Sequence, residues 1–468
     1  MDTDQSHEPS PKSSLLQRFM GPNERNVLSL AWPVLIELVL SSLFGMVNLM
    51  MLGRQADHTV AAAAVAAVGV TNQLIFIGVS LVQALNVGGT AMIARYYGAE
   101  ERDRLNPVLK HVLVLNLLVL TLPFVVVMLI FSENLLRFMG ASDTVVAVGL
   151  NYFRILLLGF IFQSANLAFS AALRGIGDTQ VPMRVNLVAN ATNVVGNVLL
   201  IYGLGPFPAL GATGAALSTS LSQGFAFGLM VRVLSRPDRE LRLFDGSGFR
   251  FDRQLIGNLL RLGLPASGEQ LVMRVGLLTF SRIVISLGDV VFAAHQSALS
   301  LLSLTFNPGQ AFSIAASAMT GQALGARDPD EAKRRNKAAM RLGYTIAAAM
   351  SLLFLFFAPQ LLSLYSANPE VIYHGAVALR IIALIQPFQA SQLILAGALR
   401  GAGDTFSPFI ATAVSLLLLR TTVAHVLVNV LNWGLPGAWI AIFVDQFVRW
   451  AIIYTRYRRG RWVRIKID

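Results

Sequence analysis

The sequence has no cysteine and little charge. Without a thiol anywhere in its 468 residues, neither a disulfide nor a thiolate metal site can form. Asp, Glu, Lys and Arg together make up 13% of the chain, against roughly 25% in soluble globular proteins. So few charges cannot cover a water-exposed surface on a chain of this length. Also missing are a nucleotide-binding glycine loop with its lysine and a His-x-x-x-His metal pair. These gaps argue against an enzyme and predict no cofactor. The first 24 residues are polar and carry Pro9, Pro11 and Pro22, with no apolar core of the signal-peptide kind.

What the chain has in abundance is apolar sequence. Hydrophobic residues reach 55%. Runs of about 20 recur from Val27 to Tyr454, each long enough for a hydrocarbon core of about 30 Å. The pattern predicts an all-α integral membrane protein with about twelve transmembrane helices. The net charge of +12 first suggests a nucleic-acid partner, but its distribution argues against one. Twenty-nine of the 37 Lys and Arg fall in 1–26, 95–110, 173–184, 232–261, 324–341, 399–407 and 456–468, all expected on one side of the membrane. The opposite loops hold only Arg54 and Arg137. This asymmetry follows the positive-inside rule and predicts two cytoplasmic termini. Basic loops facing anionic lipid need no nucleic acid, and no stacking aromatics accompany them.

The chain also repeats itself. Residues 172–179 read Ala-Leu-Arg-Gly-Ile-Gly-Asp-Thr, and residues 398–405, 226 positions on, read Ala-Leu-Arg-Gly-Ala-Gly-Asp-Thr. Pro182 and Pro408, Arg154 and Arg380, and Phe162-Gln163 and Phe388-Gln389 keep the same offset. Gly98-Ala99 and Gly325-Ala326 match at 227. Pro33 and Pro265 match at 232, each four residues before a glutamate, Glu37 or Glu269. A colinear series of this kind implies two halves of about six helices each in parallel orientation. The expected organisation is a cytoplasmic tail (1–26), an N-lobe of helices 1 to 6 (27–234), a cytoplasmic linker (235–255), a C-lobe of helices 7 to 12 (256–456) and a basic tail (457–468). Substrate would bind between lobes that rock to give alternating access.

Few residues in the apolar segments can carry chemistry. In the repeated Arg-Gly-x-Gly-Asp-Thr turns, the glycines permit positive φ and Asp or Thr can cap the next helix. Arg174 and Arg400 are expected to bind carbonyls or lipid phosphate there. In helix 5, Asn186, Asn190, Asn193 and Asn197 fall within an arc of about 60°. The equivalent positions of the second half are Thr412, Leu416, Leu419 and Val423. The stripe is either interhelical hydrogen-bond glue or an oxygen-lined cation or proton pathway. The embedded carboxylates are Glu37, Glu269 and Asp445. A charge at mid-membrane costs roughly 2.5–3.5 kcal/mol, so each needs a partner, a proton or a cavity. Glu37 and Glu269 read as proton carriers or as buried structural acceptors. Asp445 reads as a coupling site or as the partner of Arg449 one turn on. Arg274, Arg282, Arg420 and His295 make the second half more cationic. They are expected to neutralise Glu269 and Asp445 or to attract an anionic headgroup. With Gln163, Gln389, Asn186 and Asn190, the residues Arg274, His295 and Arg420 complete the candidate cavity set.

In combination, these motifs resemble the multidrug and toxic compound extrusion (MATE) transporters over essentially the whole chain. The resemblance is carried by the duplicated Arg-Gly-x-Gly-Asp-Thr at 174–179 and 400–405 and by Trp32-Pro33-Val34-Leu35-Ile36. Gly-Gln-x-Leu-Gly-Ala at 321–326, Ala294-His295-Gln296 and Asp445-x-x-x-Arg449 before the basic tail add to it. It implies twelve helices in two lobes and export of organic, often cationic, compounds in exchange for Na⁺ or H⁺. In members with a cation site in the first lobe, helix 1 supplies an Asp in a Val-Asp-x-x-x-x-Gly context. Here Val47-Asn48 and Gly53 occupy those places, so Asn48 stands where the acid is. By the same resemblance Asn193 and Asn197 are the helix 5 pair, and Ala215 and Thr219 contribute from helix 6. A Na⁺ held by Asn48, Asn193, Asn197 and Thr219 would meet neutral oxygens and no compensating charge. Glu37 lies eleven residues from Asn48, about 16 Å along the axis, too far to complete that shell.

Coupling to protons through Glu37, Glu269 or both is therefore expected ahead of coupling to Na⁺. The expected setting is the lipid bilayer of a plasma (inner) membrane. There the protein would act as a multi-pass monomer, with an organic compound and H⁺ or Na⁺ as its partners. The alternative within the same superfamily architecture is a flippase for an anionic lipid-linked precursor.

Overall fold

The computed structural model describes residues 21–54, 58–204, 206–246 and 248–466. Most of the expected N-terminal tail, residues 1–20, lies outside them. Among the described residues there is no strand. Twelve long helices run in series. The first six are α1 (Pro22–Gly53), α2 (His58–Gly98), α3 (Arg102–Ile130), α4 (Asp143–Gly175), α5 (Gln180–Tyr202) and α6 (Gly211–Leu234). They are followed by α7 (Arg253–Ile285), α8 (Asp289–Gly325), α9 (Pro329–Phe356), α10 (Pro369–Gly401), α11 (Phe406–Val430) and α12 (Gly434–Arg458). A short helix follows α3 at Ser132–Phe138, and another follows α9 at Ala358–Ser363, so the two halves repeat even in this detail.

Among the described residues, nine of these helices are long and apolar enough to cross a membrane by length and composition. The three others are α6, α7 and α8, and the reason is polarity rather than length. Ser218, Thr219, Ser220 and Ser222 dilute α6; Arg261, Glu269, Arg274 and Arg282 dilute α7.

Two boundaries fall earlier than the apolar pattern alone suggests. Helix α1 begins at Pro22, inside the segment expected as tail, because proline has no N–H to lose and a φ already suited to a first helical position. Helix α7 begins at Arg253, inside the expected linker, because the Asp252 carboxylate accepts from the N–H groups of Gln254 (2.8 Å) and Leu255 (3.1 Å).

The lobes join at one end and part at the other. At the end carrying the basic loops, Val27 and Ala31 of α1 share a core with Phe312, Ala316 and Met319 of α8. Leu259 and Leu262 of α7 pack into the N-lobe core around Met92 and Leu109. Towards the opposite end, the cores are separate. One, around Phe280, Leu379 and Trp439, contains only C-lobe residues. Those around Leu52 and around Phe153 contain only N-lobe residues. The result is a cleft closed at the basic end and walled by α1, α2, α7 and α8. On α8, Gln296, Ser300, Ser303, Asn307 and Gln310 fall within an arc of about 80° and are exposed or half-buried. Such a face is costly towards lipid and marks the wetted wall.

The closed seam depends on two glycines that the repeat places in equivalent positions. A side chain on Gly98 would overlap the carbonyl oxygen of Gln322, and one on Gly325 would overlap that of Arg95. The linker after α6 is pinned to the N-lobe along its length. Arg239 pairs with Asp178 (3.1 Å), Glu240 with Arg102 (3.0 Å) and Asp245 with Lys110 (2.6 Å). Finally, the Asp252 N–H donates to Nε2 of buried His111 (2.9 Å).

We expect Gly98→Val to hold the seam open. In this naturally cysteine-free chain, a single Ala94→Cys reporter should then react several-fold faster with a membrane-impermeant maleimide applied from the basic side. Unchanged labelling would mean that the seam tolerates the side chain.

Candidate functional site

The polar chemistry of the membrane region is organised around the two repeated turns. In each turn, a glycine adopts positive φ (Gly177 at 90°, Gly403 at 91°), which sends the chain directly from one helix into the next. Asp178 caps α5 through Val181 N–H (3.1 Å), and Asp404 caps α11 through Ser407 N–H (3.2 Å). The second oxygen of each binds an arginine: Arg239 for Asp178, and Arg456 (2.7 Å) for Asp404.

The arginines of these turns do not reach for carbonyls or lipid phosphate, as their place on the basic side suggested. Each turns inward to a membrane glutamate. Arg174 donates to Glu37 Oε1 (2.7 Å), and Arg400 donates to both oxygens of Glu269 (2.8 Å each). A third residue joins from equivalent positions of α5 and α11. Asn186 donates to Glu37 Oε1 (2.8 Å) and Thr412 to Glu269 Oε1 (3.1 Å). The two triads therefore occupy the same place in the two halves, and the cause is the cost of an isolated carboxylate away from water. They differ at the carboxylate, where Oε2 of Glu37 is buried with no partner.

Asn48 forms a separate cluster, as its distance from Glu37 along α1 requires. Its amide donates to Asn193 Oδ1 (3.0 Å), and its oxygen accepts from Asn197 (2.6 Å). Asn193 in turn donates to Thr219 (3.1 Å) and Ser218 (3.3 Å). Ala215, one turn before Thr219, is buried beside Leu52. The cluster holds itself together by neutral hydrogen bonds and contains no acid. Asn190, on the same stripe, has no hydrogen-bond partner among the described residues, and neither does Gln163.

In the C-lobe, Asp445 is fully buried and binds two arginines, Arg420 and Arg449, the latter at 2.7 Å; Arg449 also donates to Ser415 (3.0 Å). The i,i+4 pair is present, and Arg420 of α11 completes it. Arg274, Arg282, Arg420 and His295 were expected to neutralise Glu269 and Asp445 or to attract an anionic headgroup; Arg420 does pair with Asp445, whereas Arg400 takes the place at Glu269 because the turn delivers it there. Arg274 is exposed and lies over the Phe76 ring, 4.2 Å from its centroid. His295 is fully buried among Phe280, Phe292 and Trp439, and neither ring nitrogen has a partner. Gln389 is buried with both amide atoms unpartnered and lines a small cavity with Thr305, Gln386 and Pro308. Among the described residues no group of three or more His, Cys, Asp or Glu could hold a metal ion.

Sequence reasoning missed Arg174 and Arg400 as glutamate partners, although the signal was there. Glutamate, arginine and the α5/α11 position all recur at nearly one offset, which is what a conserved spatial triad produces after duplication. It also missed the polar face of α8, whose members are neutral and interleaved with Leu and Phe.

Two parallel six-helix lobes, a cleft closed at one end and deep carboxylates each paired with an arginine at a helix crossing define a membrane transporter. The MatE family model matches residues 33–199 and 265–426, and the chain belongs to that family. The match falls in two blocks, one per lobe. Among curated proteins the chain is 28% identical to a probable multidrug resistance protein NorM of Thermotoga maritima, covering 96% of each. It is 26% identical to the uncharacterized transporter YisQ of Bacillus subtilis, covering 94% of this chain and 95% of the relative. Among solved structures, a MATE transporter in the bent conformation matches with a TM-score of 0.86 at 25% identity, covering 94% of this chain and 96% of that one. An outward-facing multidrug resistance MATE family transporter of the MOP superfamily matches at 0.85 and 25% identity, covering 95% of this chain and 98% of that one.

Removing Arg400 leaves Glu269 buried with Thr412 alone. Arg400→Ala is therefore expected to cost about 3–5 kcal/mol, read as a lowered unfolding midpoint in detergent. The double substitution Glu269→Gln with Arg400→Ala should recover most of that loss. If the double variant is no more stable than the single one, the pair does not act as a unit.

Proposed function

We propose that the protein is a secondary antiporter of the plasma (inner) membrane that exports organic compounds in exchange for protons. The basic end faces the cytoplasm, both termini lie there, and the cleft opens outward. The chain works as a monomer whose lobes, 27–234 and 256–456, rock about the closed seam.

The observation that carries this reading is the free oxygen of Glu37. A proton placed on Oε2 turns the carboxylate into a neutral acid and removes the charge that attracts Arg174. Helix α1 is then released from the α4–α5 turn and from Asn186. Glu269, with both oxygens engaged by Arg400, is held more firmly and keeps the C-lobe half fixed. Protonation and deprotonation of one group thus switch a contact between α1 and the rest of its lobe, which is what coupling requires. Substrate arrival on the cleft face of α1 and proton release from its inner face become competing events.

The Asn48 cluster supports protons over sodium. It contains no acid and so offers no negative charge to offset a cation, and its one unpartnered oxygen, Asn197 Oδ1, is a neutral amide. Relatives named as multidrug resistance proteins support a structurally varied organic substrate rather than a lipid-linked precursor.

In proteoliposomes, an imposed proton gradient should drive dye movement across a panel of fluorescent compounds of either charge, and a sodium gradient alone should not. Glu37→Gln is expected to lower the initial rate at least about tenfold. Full proton-driven transport by that variant would remove Glu37 from the coupling step, and transport driven by sodium alone would remove protons altogether.

A further inference from the structure

We infer that the cleft selects compounds bearing an anionic group, a carboxylate, sulfonate or phosphate, on an aromatic or apolar body, with Arg274 as the anchor of that group and Phe76 as the surface for the body. The inference rests on the reading of the cleft as the substrate path.

The electrostatics of the cleft walls point this way. Helix α2 contains no Asp or Glu at all. The deep acids of α1 and α7 are Glu37 and Glu269, and each is already bound to a guanidinium. Asp289 sits at the outermost residue of α8, away from the depth of the cleft. An organic cation entering between the lobes therefore finds no unneutralised carboxylate on any of the four walls. Behind α7 and α8, Asp445 is outnumbered by Arg420 and Arg449, which leaves the C-lobe interior with a surplus positive charge.

Among the described residues of the four cleft walls, Arg274 is the deep charge left over. It stands eleven residues short of the outer end of α7, about 16 Å along the axis. Among the described residues it has no carboxylate and no hydrogen-bond acceptor; its contact is the Phe76 face. An unpaired guanidinium at that depth is costly towards lipid, so its position must be wet. Phe76 itself is 51% exposed and shares its helix face with exposed Asn72 and Gln73. Polar neighbours of that kind place the face on the cleft. A guanidinium offers five N–H donors in a rigid fork matched to two oxygens of one anionic group. Stacking over Phe76 holds the fork in place, and the neutral polar face of α8 can accommodate varied bodies without adding charge.

A matched pair of dyes tests this. Carboxyfluorescein and rhodamine 6G share a xanthene ring system and carry opposite charge. Equilibrium binding is measured by fluorescence anisotropy with the full chain in nanodiscs of zwitterionic lipid, where no ion gradient is needed. The wild type should bind carboxyfluorescein at least about tenfold more tightly than rhodamine 6G. Arg274→Gln should abolish that preference, Arg274→Lys should keep only the part due to charge, and Arg274→Glu should invert it. Equal or reversed affinities in the wild type would overturn the inference, as would an unchanged ratio in Arg274→Gln. Competition by a water-soluble short-chain phosphatidylglycerol, with none by the phosphatidylcholine analogue, would assign the site to lipid headgroups. Absence of competition with the dye preference intact would assign it to free organic anions. Because binding is read without a gradient, loss of proton-driven exchange with the dye preference intact would overturn the antiport reading alone. Proton-driven export confined to cations would overturn this inference alone.

Discussion

A carboxylate held away from water must find a positive partner, and here that requirement organises the molecule. Glu37 and Glu269 sit one helical turn past a proline in the first helix of each lobe. Among the described residues, the guanidinium paired with each comes from the turn between the fourth and fifth helices of the same lobe. The pair therefore fixes three helices at once: the one that carries the acid, the one that ends in the arginine and the one that begins after the turn. Deleting one member leaves an uncompensated charge, whereas deleting both leaves ordinary polar packing. Such a contact is strong when complete and unforgiving when half-made.

The same turns carry a second, outward-facing connection. While the arginine reaches into the membrane, the aspartate four residues on divides its oxygens between a helix cap and a second arginine, Arg239 of the linker for Asp178 and Arg456 at the end of α12 for Asp404. Asp178 and Asp404 do this in parallel. A sequence motif that reads as a glycine turn with a capping residue is thus a junction between buried and surface charge. The glycines give the turn its shape; the Arg and Asp are retained for their partners.

Much of this was legible in the residues. Charge scarcity and apolar runs gave the helical membrane class, and the recurring octapeptide gave the two-lobe division. The spacing of Asn193 and Asn197 placed them together, and the eleven-residue gap from Asn48 correctly separated Glu37 from their cluster. The partner of each glutamate was harder to see. Arg174 is distant from Glu37 in sequence, and its position at a basic helix end looked sufficient by itself. Of the residues expected to neutralise Glu269 and Asp445, Arg420 reaches Asp445 but none reaches Glu269, for a related reason. Charge complementarity names candidates, but chain topology decides which one arrives. The neutral stripe of α8 escaped because no single member is costly; only the sum over four turns is.

The linker offers a mechanical consequence. Its ion pairs to Asp178, Arg102 and Lys110 and its hydrogen bonds to Asn106 and His111 run from Arg239 to Asp252 and are all made to the N-lobe. Asp252 is also the residue that caps α7. The segment joining the two halves is thus not a slack tether but a splint bound to one of them, and the first turns of α7 stay anchored in the core of that same half through Leu259 and Leu262. A rotation about that anchor swings α7 as a lever whose long arm carries Arg274, so a small angular change at the basic end becomes a displacement of several ångströms at the depth where that side chain meets the opposite lobe.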